Sequence, residues 1–197
     1  MVDRYRKLWM TPGGYIDHNS DIDMRIERKG LLKIGDQEVT IIGDEVHLGE
    51  SAPEFTAHTV DWTDFNGLAG TSGKVRIIAA LPSLHTSICD RETRRFNQEA
   101  AGLGSDVVIL TVSMDLPYAI KDWCAAAGVD QVITLSDHYK AEFGGRYGVL
   151  IEERRILRRA IFVVDRENVI RYAAYMLALG IEPEYKEVLA AAQRALA

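Results

Sequence analysis

The run Pro82-Ser83-Leu84-His85-Thr86-Ser87-Ile88-Cys89 joins an apolar stretch to a helix-forming one, and so seats a cysteine in or near the first turn of a helix. The unpaired N–H groups of a first turn, with the helix dipole behind them, favour a thiolate over a thiol. That help is small. Moving a thiol from about 8.5 to about 6 requires about 3.4 kcal/mol, whereas a helix terminus supplies about 0.3 to 1 kcal/mol and rarely about 2. A reactive Cys89 therefore needs an arginine or lysine, or several hydrogen bonds, at its sulfur. The alternative is a buried, inert thiol of the ordinary kind.

The only other cysteine, Cys124, lies 35 positions later in Leu116-Pro117-Tyr118-Ala119-Ile120-Lys121-Asp122-Trp123-Cys124-Ala125-Ala126-Ala127-Gly128. Proline in the first turn and glycine at the end mark this as a helix. The spacing excludes a C-x-x-C redox pair, and two thiols are too sparse for a structural zinc site. Two readings stay open: two inert thiols, or an attacking thiol with a resolving partner.

With these two segments in view, the chain resembles the thiol peroxidases, the atypical two-cysteine branch of the peroxiredoxins, over about residues 31 to 190. The likeness rests on the P-S-L-x-T-x-x-C run ending at Cys89 and on Arg94-Arg95-Phe96-Asn97 after it. It extends through Ser113-Met114-Asp115-Leu116-Pro117, Trp123-Cys124 with Gly128, Thr134-Leu135-Ser136-Asp137-His138, Tyr147-Gly148-Val149, and Arg159-Ala160 at the head of an apolar strand. The resemblance implies a thioredoxin-dependent peroxidase of hydrogen peroxide and organic hydroperoxides. Cys89 would be the peroxidatic thiol, attacking as thiolate and leaving as sulfenic acid. Thr86 would hydrogen-bond sulfur and peroxide, Pro82 would shield the pocket from water, and Arg159 would be the required cation. Cys124 would then resolve the sulfenic acid as an intrachain Cys89–Cys124 disulfide, reduced by an external dithiol, thioredoxin by analogy. A homodimer is also expected from the family. Other readings of the same thiols are a one-cysteine peroxidase with another thiol reductant, a peroxide sensor relaying its disulfide to a partner, and a binding module with unreactive thiols.

One pocket position departs from the pattern: His85 stands where the family usually carries aspartate. It is expected to be an exposed loop substitution; as a pocket group it would add a donor or a charge that titrates near pH 6.5. The arginine also has competitors in Arg154, Arg155 and Arg158, and strand parity cannot choose among them because Ile161, Phe162, Val163 and Val164 are apolar on both faces. The family motif chooses Arg159.

The elements that must hold these residues follow from pattern. Val75, Ile77, Ile78, Ala79, Ala80 and Leu81 read as a buried strand ended by Pro82. Phe96, Ala100 and Leu103 recur at helical spacing after Cys89, with Asp90, Arg91, Glu92, Arg94 and Arg95 expected in solvent. The order predicted is a hairpin over 31–48, strand 75–81, helix 89–101, strand 107–113, helix 117–127, strand 131–135 and a short helix near 137–147. Strands 160–165 and 169–175 and a helix from about 183 complete it. Alternating strands and helices predict an α/β protein, a three-layer α/β/α sandwich; by resemblance this is the thioredoxin-like peroxiredoxin fold with an N-terminal β-hairpin. Residues 1–30 read as an N-terminal extension, with Ile22, Met24 and Ile26 alternating as in a strand, and 31–197 as one domain.

Composition narrows the class. A formal net charge of −6 argues against a nucleic-acid partner. The start, with Arg4, Arg6, Lys7 and then Thr11-Pro12-Gly13-Gly14, lacks the apolar core of a signal peptide, so cytoplasm is expected, without a membrane span. The segment Gly67–Lys74 imitates a phosphate loop, but its spacing is one residue too long and Val75 replaces the hydroxyl that would bind magnesium; a turn is expected. His18, His47, His58, His85 and His138 lack zinc-site spacing, so neither metal nor cofactor is expected. Trp62, Phe65 and Tyr147 are assigned to core or interface.

Overall fold

The computed structural model of the chain describes residues 26–196. In chain order its strands begin with β1 (Glu27–Arg28), β2 (Lys33–Ile34), β3 (Gln37–Glu38), β4 (Ile41–Ile42), β5 (Thr56–His58), β6 (Asp64–Asn66) and β7 (Val75–Ala80). Then come helix α1 (Ser87–Leu103), β8 (Val107–Ser113), α2 (Pro117–Ala127), β9 (Ile133–Ser136) and α3 (Glu142–Arg146). The chain finishes with β10 (Leu150–Ile151), β11 (Ile156–Leu157), β12 (Ala160–Val164), β13 (Ile170–Tyr175) and α4 (Tyr185–Leu196).

A seven-stranded sheet in the order β13-β12-β7-β8-β9-β5-β6 forms the middle layer. Strands β7, β8 and β9 are parallel, as the helical crossovers between them require, and β12 runs antiparallel to β7. The central strands β7, β12 and most of β8 are buried on both faces, which is why they read as largely apolar runs. One face carries Val75, Ile77, Ala79, Ile109, Ile161 and Val163 beneath α1, α2 and α4. The other carries Ile78, Ala80, Leu110, Val112, Phe162 and Val164 beneath α3, Phe55, Tyr147 and the small sheet β1-β4-β10-β11. The third layer is thus built mainly of strands and one five-residue helix.

The principal strands and helices fall within a few residues of the predicted spans, and the β2–β3 hairpin is shorter than the 31–48 span expected. The pattern missed β5, β6, β10 and β11, each two or three residues long and too short to show a period. Of the N-terminal extension, Ile22 and Met24 lie outside the described residues. Glu27 and Arg28 pair with Ile42 and Ile41, and Arg28 donates to the carbonyls of Gly43 and Gly148, both at 2.7 Å. In the Gly67–Lys74 segment, the N–H groups of Leu68 and Ala69 that could have faced a phosphate are taken by the Glu54 carboxylate at 2.8 Å each. Tyr147 is core, whereas Trp62 is exposed and ringed by His58, Tyr118 and His138. No helix among the described residues is long and apolar enough to cross a membrane.

Candidate active site

Cys89 is the third residue of α1 and is completely buried. Its sulfur is approached from two sides. The Thr86 hydroxyl lies 2.8 Å from Sγ, and Nη2 of Arg159 donates to it at 3.1 Å. Thr86 occupies the N-cap of α1, in extended conformation, yet makes no side-chain hydrogen bond to the helix. An N-cap threonine ordinarily satisfies a first-turn N–H, worth about 1 kcal/mol. Here the hydroxyl turns to the sulfur instead, with the Ser83 carbonyl a second acceptor at 3.2 Å. The open first turn thus keeps its N–H dipoles for the cysteine.

Arg159 ends the turn before β12 and is itself fully buried. Its Nε and Nη2 both donate to the carbonyl of Leu179, at 3.2 and 3.1 Å, and Nη1 is paired with Glu92. Burial pulls the guanidinium down, but the Glu92 carboxylate and the Cys89 sulfur outweigh it, so Arg159 is held firmly charged. The neighbouring Arg158 goes the other way, to Glu45 at 2.9 Å and the Met176 carbonyl at 3.0 Å. Arg158 shares parity with Phe162 and faces the layer of strands; Arg159 shares parity with Ile161 and Val163 and faces α1.

Glu92 corrects the sequence reading, which put it in solvent: it has no exposed surface. Cys89, Glu92, Thr93 and Phe96 stand at i, i+3, i+4 and i+7, a single face of α1 turned to the sheet, and that spacing was the available signal. Burial lifts the Glu92 carboxyl to about 7 although Arg159 opposes the rise, and its Oε1 has no hydrogen-bond partner. One cation therefore serves two acidic groups, the carboxyl and the thiol.

Cys124 is half-buried on α2, beside the apolar layer that also holds Cys89, and neither cysteine is in a disulfide. Its sulfur lies 3.4 Å from the Thr134 hydroxyl, and burial pushes the thiol pKa up against that contact. The residues next to the two cysteines hold the helices together: Trp123 Nε1 donates to Asp90 at 3.1 Å, and Arg94 donates to Asp90 at 3.0 Å and to the Ala127 carbonyl at 2.8 Å. Of the other expected pocket residues, Pro82 is buried, while His85 is exposed and its backbone N–H is engaged with Ser83 Oγ at 3.3 Å. Beyond Glu92, Asp115 also escaped the reading: its carboxylate accepts from Ser83 Oγ and Leu84 N–H, both at 2.8 Å.

A buried thiol at a helix start, met by a hydroxyl and a guanidinium, suits nucleophilic attack with charge passing to a leaving oxygen. Comparison with known proteins adds to this. Residues 47–189 match the family model described as Redoxin. The thiol peroxidase of Oceanobacillus iheyensis is 50% identical over 151 residues, spanning 77% of this chain and 91% of that protein. The thiol peroxidase of Bacillus subtilis is 46% identical over 155 residues, 79% of this chain and 92% of that one. Among solved structures, the peroxiredoxin-like protein from Aquifex aeolicus superposes with a TM-score of 0.77 at 32% identity, covering 87% of this chain and 98% of its own. The thiol peroxidase from Chromobacterium violaceum, at 22% identity and a TM-score of 0.72, shares the fold over 84% of this chain and 96% of its own.

Proposed function

The chain belongs to the thiol peroxidases of the redoxin family, and on that premise we propose how its own residues reduce a hydroperoxide. The observation that carries the proposal is the double engagement of the Cys89 sulfur by Thr86 and Arg159 at the start of α1. Cys89 attacks as thiolate on the terminal oxygen of ROOH. The S–O bond forms as the O–O bond breaks, and sulfur becomes sulfenic acid. The leaving alkoxide or hydroxide takes up a proton to give the alcohol or water. Arg159 balances the negative charge as it moves from sulfur to the leaving oxygen, and the Thr86 hydroxyl orients the peroxide. In this reading Pro82 keeps bulk water from the sulfur, and the exposed His85 is a residue of the substrate pocket.

Cys124 then displaces hydroxide from the Cys89 sulfenic acid, releasing water and closing an intrachain disulfide. A thioredoxin-type dithiol takes up that disulfide and returns both thiols. The raised pKa of Cys124 supports a resolving step in which this thiol leaves its packed position first, because a buried neutral thiol is a poor nucleophile. Because Cys89 is buried and Cys124 half-buried within packed helices, local unwinding of α1, α2 or both accompanies closure in this reading. A cytoplasmic homodimer, with residues 31–197 as the catalytic domain, completes the reading.

Intact mass and peptide mapping after one equivalent of hydrogen peroxide test it. A loss of two hydrogens mapped to Cys89 and Cys124, reversed by thioredoxin, is the expected result. Cys89→Ser abolishes turnover, and Cys124→Ser undergoes one sulfenic-acid event and stalls. Multiple turnover by Cys89→Ser would refute the assignment.

A further inference from the structure

The Ser113–Pro117 segment supplies no atom to the peroxide chemistry, yet its aspartate reaches the loop that does. Asp115 Oδ1 accepts from Ser83 Oγ at 2.8 Å, while Oδ2 accepts from the Leu84 N–H at 2.8 Å and from Ser113 Oγ at 3.0 Å. The Ser83 carbonyl in turn accepts the Thr86 N–H at 3.1 Å and lies 3.2 Å from the Thr86 hydroxyl, which touches Cys89 Sγ. Asp115 thus holds Ser83, whose carbonyl fixes the Thr86 backbone N–H, and the Thr86 hydroxyl proton is left for the Cys89 sulfur. Three donors converge on one side chain, and a carboxylate accepts all three; an asparagine could keep the Leu84 N–H bond but would have to reverse the bond with Ser83 Oγ and give up its charge. Between the end of β7 at Ala80 and the start of α1 at Ser87 the loop forms no sheet ladder beyond Leu81, so this carboxylate sets much of its shape.

We propose that Asp115 is a positioning residue of the peroxidase, holding Ser83 and Leu84 in the turn that aims the Thr86 hydroxyl at Cys89; the inference rests on the peroxidase reading above. Asp115 stands two residues before Pro117, where α2 begins, so the same carboxylate ties the loop before one cysteine to the root of the helix bearing the other. It acts through Thr86 and touches neither sulfur nor peroxide.

The test is a double-mutant cycle on the second-order rate constant for hydrogen peroxide, measured by stopped flow on the full chain. A hydrogen bond to a charged group corresponds to a roughly tenfold to hundredfold effect, so Thr86→Val and Asp115→Ala each slow attack within that range. Because one acts through the other, the double variant is slowed no more than about threefold beyond the slower single. Should Asp115→Ala unfold, Asp115→Asn and Ser83→Ala, which weaken the same contacts without emptying the site, take its place in the cycle and are expected to slow attack several-fold. Iodoacetamide alkylation of Cys89 stays near wild type and separates misaimed Thr86 from a damaged sulfur site. Losses that multiply in the double variant, or an Asp115→Ala enzyme within twofold of wild type, would overturn the positioning role and leave the peroxidase intact. A wild-type chain that fails to consume peroxide would overturn both.

Discussion

Arg159 does two things at once, and substitution can separate them. Its Nη1 neutralises the fully buried Glu92, and its Nη2 faces the Cys89 sulfur at 3.1 Å. Arg159→Met strands the carboxylate, and removing one partner of a buried pair costs about 3 to 5 kcal/mol. Part of that loss is avoidable, because Glu92 can take up a proton; the deficit is therefore larger at pH 8 than at pH 5. The same substitution removes a charged hydrogen bond to sulfur, about 1.5 to 3 kcal/mol, which slows peroxide attack roughly 10- to 150-fold. Arg159→Met/Glu92→Gln removes the stranded charge without restoring the guanidinium. Urea unfolding is expected to show most of the lost stability recovered in the double variant, while stopped-flow peroxide kinetics stay as slow as in Arg159→Met. If peroxide reactivity returned in the double variant, the slow step would lie in repulsion from a stranded Glu92 and the reasoning about Arg159 and the sulfur would be wrong.

Two other outcomes follow from the same packing. The Glu92 carboxyl ionises near 7 in the fold against 4.5 in an open chain, so between those values the unfolded state releases this proton while the folded state keeps it. Stability contributed at this position is therefore lost as pH rises from about 4.5 to 7, by about 3 kcal/mol in all, and Glu92→Gln flattens that slope in denaturant titrations; an unchanged slope would place the titration elsewhere. Asp90→Ala removes the acceptor of Trp123 Nε1 and the partner of Arg94, lowering stability by about 1 to 2 kcal/mol and speeding disulfide closure after the sulfenic acid forms. Slower closure in a rapid-quench alkylation assay would contradict a resolving step that needs α1 and α2 to loosen.

Much of the architecture was legible in the chain because it rests on local rules. The run Val75, Ile77, Ile78, Ala79, Ala80 and Leu81 reads as a buried strand despite Arg76 within it, Pro117 and Gly128 bound a helix, and the loop before α1 set Cys89 at a helix start. That a reactive Cys89 needs a cation or several hydrogen bonds at its sulfur also followed from magnitudes. The strands β5, β6, β10 and β11 were not legible, since pieces of two or three residues exist only through the neighbours they pair with.

Which residues meet the sulfur was decided by tertiary structure. Alternation along the 158–164 stretch sends Arg158 and Arg159 to opposite sides, but both sides are apolar beyond them, and only the packing of α1, α2 and α4 on one face makes Arg159 the arginine beside Cys89. Glu92 reads as one charge in a charged run until α1 lies on the sheet with its 89/92/96 face inward, and then it is the most buried carboxyl near the site. Asp115 and Ser83 are 32 positions apart, and they meet because β7 and β8 are adjacent parallel strands whose ends open side by side. Sequence set the local conformation of each segment and the identity of the two thiols, because propensity, turn chemistry and reactivity are properties of short stretches. The Thr86 hydroxyl at the Cys89 sulfur is a local contact, but the guanidinium comes from a segment 70 positions away, and only the closed sheet with its helices brings it to the sulfur.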